Sequence, residues 1–230
     1  YEKLGDSQKA GRAYEMYYKK DVQQSENRKQ TEVKRLKKRI ELQKEINKRA
    51  DIEARKIMLV SQSEQDELTK IYNRRGIKRH VGAKFKETQQ LQKSFSIAIV
   101  DVDYFKEYND TYGHPAGDNI LQTIAQILEE SVSKAGIVGR YGGDEFLIAI
   151  AQRNSEEVEQ IICCIREKLK QKAIKNRRST VSEYVTVSIG AVNVVPERKT
   201  LLSEYIHAAD HALYEIKKTS KNGFLVLSSF

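Results

Sequence analysis

The sequence predicts an α+β domain, a central and mostly antiparallel sheet covered by helices, behind a long N-terminal α-helix. Three observations carry this. Short runs of strand-forming residues near 95–103, 136–141, 145–151, 185–192 and 223–228 interleave with four amphipathic helical stretches. Two of those runs are joined through Gly142-Gly143-Asp144, the composition of a hairpin turn, because glycine accepts the positive φ angles a tight turn needs. From Val22 to Gln65 there is no Pro or Gly, and Ala, Glu, Lys, Arg, Gln, Leu and Ile dominate, so an uninterrupted helix is expected.

In order, residues 1–20 begin with Leu4-Gly5-Asp6 and place Ala10, Ala13, Tyr14, Tyr17 and Tyr18 at helical spacing. This piece resembles the closing part of a tetratricopeptide repeat, which implies further repeats upstream, since such units need stacked neighbours. Residues 21–65 carry a heptad, with Val33, Ile40, Asn47, Ala54, Ser61 and Leu68 at one position and Leu36, Gln43, Ala50, Ile57 and Glu64 at the other. Gln43, Asn47, Ser61 and Glu64 weaken that seam, and polar seam residues set partner number and register at a cost in stability. The reading is a coiled-coil or signalling helix, with a lone solvated helix as the alternative.

Composition excludes several classes. Of the net charge of +9, most lies in residues 1–60, with 17 Lys and Arg against 10 Asp and Glu; residues 61–230 hold 24 against 22. The excess is interspersed along a helix, which reads as a solvated face and not as a nucleic-acid surface. Neither an apolar run of about 18 residues nor a signal peptide is present. The chain starts at Tyr1 without an initiator methionine, so a piece of a longer cytoplasmic protein is expected, with a sensory or repeat domain upstream. Cys163 and Cys164 are adjacent in a helical stretch, fit a reducing compartment, and are expected to act as small apolar residues.

Residues 66–230 read as the domain proper. Asp66 begins a turn, 75–92 is an amphipathic helix, and Phe95 to Asp103 is an apolar strand ending in acids. Tyr104 to Asn119 is a polar, turn-rich stretch, and 116–134 is a helix with Ile120, Leu121, Ile124, Ile127 and Leu128 inward. After the hairpin come a helix over 155–175, a basic loop at Lys175-Asn176-Arg177-Arg178, a strand over 185–192, a helix over 200–218 and an edge strand.

Chemistry concentrates at the strand ends. Asp144 and Glu145 are adjacent acids beside a glycine pair, and they repel each other unless a cation lies between them. If the strand ending at Asp101 pairs beside the hairpin, Asp101 and Asp144 meet. Hard oxygen ligands with positions left for water and phosphate oxygens describe a Mg²⁺ site and phosphoryl or nucleotidyl transfer. Lys106 is a cation near those acids, able to neutralise charge on a phosphate, while Asn109 and Asp118 offer an amide and a carboxylate suited to a guanine edge, or else serve as a turn former and a helix cap.

Arg140-Tyr141-Gly142-Gly143-Asp144-Glu145-Phe146 resembles the signature of the GGDEF domain, the diguanylate cyclases, which condense two GTP into cyclic di-GMP. Further matches follow in order: Asp66-Glu67-Leu68-Thr69 with Asn73-Arg74-Arg75, Asp101-Val102-Asp103-Tyr104-Phe105-Lys106 with Asn109-Asp110, Gly113-His114 with Gly117-Asp118, Ser188-Ile189-Gly190, and Ala209-Asp210 with Ala212-Leu213-Tyr214. The resemblance covers about residues 64–230 and implies the palm-like fold of nucleotidyl cyclases. It implies Asp101, the Val102 carbonyl, Asp144 and Glu145 around Mg²⁺ (Mn²⁺ being the other candidate), with Asp144, Glu145 and Lys106 catalytic. It also implies GTP contacts from Phe105, Asn109, His114, Asp118, Arg140, Lys217 and Lys221, and a homodimer, because each domain binds one GTP. The alternative is an inactive GGDEF module that only binds GTP or cyclic di-GMP.

Three departures stand out. Lys70 and Ile71 replace a usual glycine and leucine, and Ser220 replaces a glycine beside the phosphate-binding bases. The family's product-inhibition motif, an Arg and an Asp three apart, falls on Ser133 and Gly136, so no feedback site of that kind is expected.

Overall fold

The structure is a computed structural model that describes residues 7–62, 64–133 and 136–229, and the chain divides into two units, Tyr1–Leu59 and Val60–Phe230. Helix α1 accounts for the described part of the first unit; it runs Ser7–Gln62, without a break at the boundary the sequence suggests at residue 20. Leu4-Gly5-Asp6 lies outside the described residues. Val33, Leu36 and Ile40 are all about half exposed on α1, while Gln43 Nε2 donates to Asn47 Oδ1 at 3.1 Å, so the two polar seam residues satisfy each other along the helix.

The helix ends sooner than the heptad suggests. Glu64 and Leu68, the last expected seam positions, belong to the second unit. Glu64 is buried and accepts from Arg79 Nη1 at 2.9 and 3.0 Å, and Leu68 packs on the core. Asp66 makes the turn between, its Oδ1 accepting from Thr69 N at 2.9 Å and Thr69 Oγ1 at 2.7 Å. Lys70 closes that turn at φ 64, the left-handed region, which is why glycine suits the position and why lysine there costs about 1 kcal/mol.

The second unit is a five-stranded sheet with helices on both faces. Its elements are α2 (Arg74–Gln90), β1 (Phe95–Val102), α3 (Phe105–Tyr112), α4 (His114–Val132), β2 (Gly136–Arg140), β3 (Glu145–Ala151), α5 (Ser155–Gln171), β4 (Val187–Val194), α6 (Leu202–Thr219) and β5 (Phe224–Leu227). The strand order is β2-β3-β1-β4-β5, antiparallel except for the β4–β5 pair. Ala98, Val100, Phe146 and Ile148 face Ile120, Ile124 and Leu128 of α4 and Val158, Ile162 and Ile165 of α5. Ile97, Ile99, Leu147 and Ala149 face Ile77, Val81 and Phe85 of α2 and Tyr205, Ala209 and Leu213 of α6. Every residue of β1 is therefore buried, which explains its unbroken apolar run.

Two local expectations are corrected. The stretch after β1 is mainly helical: α3 and α4 meet at Gly113, whose φ of 82 makes the only turn needed, and Pro115 lies in the first turn of α4 where a missing N–H costs nothing. Cys163 and Cys164 are free and exposed, because α5 turns Val158, Ile162, Ile165 and Leu169 inward and leaves the cysteines outside that stripe.

Candidate active site

The site begins at the end of β1. Antiparallel pairing places Asp101 opposite Glu145 on β3 and opposite Ser188 on β4, so these three side chains leave one face of the sheet together. The residue opposite Asp101 is thus Glu145 rather than Asp144, which lies one position further into the turn; the register of β1 on β3 decides this. Asp101 is 6% exposed, and Lys217 Nζ, arriving from the last turn of α6, is 2.6 Å from its Oδ2. Burial pushes the Asp101 carboxyl up to about 6; Lys217 works against this, and the negative charges of Asp144 and Glu145 reinforce it. The group holds its charge against the cost of burial and the repulsion of two neighbours.

The hairpin is braced from its own side chains. Tyr141 N and Gly142 N donate to Glu145 O at 2.8 and 3.2 Å. A Cβ on Gly142 would lie 2.7 Å from Glu145 Oε2, so glycine there leaves the carboxylate room beneath the turn. Arg140 Nε and Nη2 donate to Gly143 O at 3.0 and 2.7 Å, and its Nη1 reaches Asp66 Oδ1 at 3.2 Å. For Asp66, burial is outweighed by the Thr69 donors and the Arg140 charge, and its carboxyl is held below the ordinary range. Arg140 therefore fixes the shape of the acidic turn. The Asp66–Arg140 link joins residues far apart in the chain, and nothing local in the sequence signals it.

Helices α3 and α4 carry other residues singled out by the sequence. Lys106, His114 and Asp118 are exposed, Phe105 is partly buried against the core, and Asn109 Oδ1 is buried without a hydrogen-bond partner. Gly117 permits this packing, since a Cβ there would collide with Asn109 Oδ1. That atom is the end of a movable side chain, so Gly117→Ala is expected to displace Asn109 while alanine itself favours the helix. If Asn109 contacts a nucleotide base, as the sequence resemblance implies, the expected result is nucleotide binding weakened about tenfold with the melting temperature within about 2 °C of wild type. Nucleotide titration and thermal unfolding check it, and an unchanged affinity would remove Asn109 from base recognition.

The junction of α6 and β5 completes the rim. Lys221 Nζ lies 5.2 Å from the centroid of the Tyr104 ring, and Tyr104, at φ 57, precedes α3 in the left-handed region. Val102 is buried at the end of β1, next in the chain to Asp101.

Among the described residues, no three His, Cys, Asp or Glu side chains are gathered to hold a metal by themselves. Asp101 and Glu145 lie opposite each other across the ladder, and Asp144 and Glu145 both bring negative charge to Asp101. This fits a hard divalent cation of the Mg²⁺ type, which uses one or two carboxylates and takes its other oxygens from phosphate and water. Lys217 would have to leave Asp101 Oδ2 to make room.

A palm-like sheet with acids at two neighbouring strand ends and lysines on the closing helix defines a nucleotidyl cyclase domain. The family described as diguanylate cyclase, GGDEF domain matches residues 63–223, and the chain belongs to it. Diguanylate cyclase DosC of Escherichia coli is 36% identical over 162 residues, covering 68% of this chain and 34% of that protein. The probable diguanylate cyclase DgcT of the same organism is 33% identical over 162 residues, covering 70% and 35%. The chain thus spans about a third of these curated relatives. Among solved structures, the diguanylate cyclase SiaD of Pseudomonas aeruginosa, in complex with its activator SiaC, has a TM-score of 0.75 at 26% identity and covers 98% of this chain and 85% of that one. The coiled coil and GGDEF domain of DgcB from Caulobacter crescentus shares the fold, with a TM-score of 0.70 at 24% identity over 80% of this chain and 96% of that one.

Gly136 explains one departure from the family pattern. A Cβ there would meet the Ala149 carbonyl, so β2 packs too closely on β3 for an aspartate at that position. No described helix is long and apolar enough to cross a membrane.

Proposed function

We propose that the chain condenses two GTP molecules into cyclic di-GMP with release of two pyrophosphates. The observation that carries this reading is the facing of Asp101 and Glu145 at the strand ends beside Lys217, in a chain of the diguanylate cyclase family. Asp101, the Val102 carbonyl, Asp144 and Glu145 would hold Mg²⁺, with Mn²⁺ a substitute, and the cation would supply charge neutralisation at the triphosphate. Lys217, Lys221 and Lys106 stabilise phosphate charge. Asn109 and Asp118 read the guanine edge, with Phe105 and His114 beside them, and Arg140 keeps the acidic turn in shape.

In each half-reaction a 3′-hydroxyl oxygen forms a bond to the α-phosphorus of the other GTP, and the bond from that phosphorus to the β-phosphate bridging oxygen breaks. Pyrophosphate leaves with the electron pair, and the hydroxyl proton passes to an acid of the Asp144–Glu145 pair. A single site binds one GTP, so two domains must face each other. The half-exposed stripe of Val33, Leu36 and Ile40 on α1 supports pairing with a second copy, which raises the effective concentration of the two sites.

The test is to incubate the chain with GTP and Mg²⁺ over a range of protein concentrations and follow pyrophosphate and cyclic di-GMP. Specific activity is expected to rise with concentration. Bound GTP with no product at any concentration would replace the cyclase by a binding module.

A further inference from the structure

Asp103 takes part in none of the steps above, yet it is 2% exposed and one of the most completely bonded carboxylates in the domain. Its Oδ1 accepts from Ser188 Oγ at 2.7 Å, and its Oδ2 accepts from Thr186 Oγ1 at 2.7 Å and from the backbone N–H of Asn222 at 3.0 Å. Asp103 N donates to Thr186 O at 3.0 Å. Two hydroxyls and one amide donor thus stand where a buried carboxylate would otherwise need a cation.

The Asn222 bond reaches a strained segment. Lys221 and Asn222 are successive non-glycine residues at φ 49 and φ 43. Two left-handed residues in a row persist only where the surroundings hold them. On the outer side Arg166 Nη2 donates to Asn222 O at 2.6 Å and reaches Asn222 Oδ1 at 3.3 Å. On the inner side Lys221 N donates to Ile216 O at 2.9 Å, closing the end of α6, and Ile189 N donates to Gly223 O at 3.0 Å. The same few residues carry Lys217, which meets Asp101, and Lys221, which lies over Tyr104.

We propose that Asp103 is a positioning residue: its buried carboxylate holds the Lys221–Asn222 turn in its left-handed form and so places the lysines of the α6–β5 junction against the end of β1. The inference rests on the reading that Lys217 and Lys221 meet GTP phosphates. Asparagine at this position has one acceptor oxygen where the carboxylate has two, so it cannot serve both hydroxyls and the Asn222 amide as acceptors. Because the lysines bind substrate, the loss falls on affinity more than on the chemical step.

The experiment compares the wild-type chain with Asp103→Asn, Asn222→Gly and the double variant. Asp103→Asn is expected to raise the GTP KM about tenfold with kcat within about threefold, and to speed hydrogen exchange at the Asn222 amide. Glycine takes positive φ without strain, so Asn222→Gly in the Asp103→Asn background restores KM, and Asn222→Gly alone changes little. If Asp103→Asn does not fold, Thr186→Val, which removes one donor and keeps the carboxylate, is read instead, with an expected rise in KM of about threefold. A fall in kcat at unchanged KM, or no rescue by Asn222→Gly in a folded double variant, overturns the proposal. If even the wild type makes no cyclic di-GMP, the cyclase reading fails alone. Exchange at the Asn222 amide then decides the anchor, which stands if Asp103→Asn loses the protection and falls if it does not.

Discussion

Asp101→Asn is expected to abolish turnover while making the metal-free domain more stable at neutral pH. In the mechanism proposed above, the loss of activity should be at least about 1000-fold, since the variant removes the charge that would hold a divalent cation and that Lys217 meets. The stability gain follows from linkage. The Asp101 carboxyl moves from 3.8 in the unfolded chain to about 6 in the folded one, so between those values the folded state holds a proton that the unfolded state has lost. Stability of the wild type from this group therefore falls as pH rises from about 4 to 6, and the full cost, roughly 3 kcal/mol, is present above that window. An asparagine carries no such cost. Denaturant unfolding in EDTA at pH 8 and pH 4 checks this: the variant should exceed the wild type at pH 8 by about 2 kcal/mol, and the difference should close at pH 4. A variant less stable than wild type at pH 8 would mean that the Lys217 contact outweighs burial and repulsion.

Gly190→Ala is expected to cause a large loss of stability. Gly190 lies opposite Ile99 in the middle of the sheet, on the face that α6 covers. A Cβ there would collide with Leu213 N and Ala209 O, both backbone atoms of α6. Backbone cannot step aside as a side-chain tip can, so the whole helix must lift, and with it Ala209 and Ala212, whose small side chains permit the close approach. The expected cost is about 3 kcal/mol, a drop of roughly 6–12 °C in melting temperature for a domain of this size. A shift under about 2 °C in a thermal melt would show that α6 is not seated as described. The contrast with Gly117, where the colliding atom ends a movable side chain, separates a glycine needed for the fold from one needed for the site.

Much of this protein was legible in its sequence because the relevant forces are local. The burial of β1 on both faces shows as an unbroken apolar run, α4 and α6 show as stripes at helical spacing, and the hairpin shows as paired glycines between apolar segments. The acids Asp101, Asp144 and Glu145 and the candidate base-reading pair Asn109 and Asp118 could be picked out as residue types at motif spacing. Local signals also misled where turn-forming residues sit within helices, as in α3 and the start of α4, and where a heptad ran on by chance past Gln62 into Glu64 and Leu68. Only the tertiary structure decided which groups meet. Glu145 opposes Asp101 because of strand register; Lys217 pairs with Asp101 because α6 lies on that face. Arg140 reaches Asp66 across 74 residues, and Asp103 gathers Thr186, Ser188 and Asn222 from 83 to 119 residues away. Such contacts leave no periodic trace, since a hydroxyl or an amide is an ordinary residue wherever it occurs, and only the packing of the sheet brings it to a carboxylate.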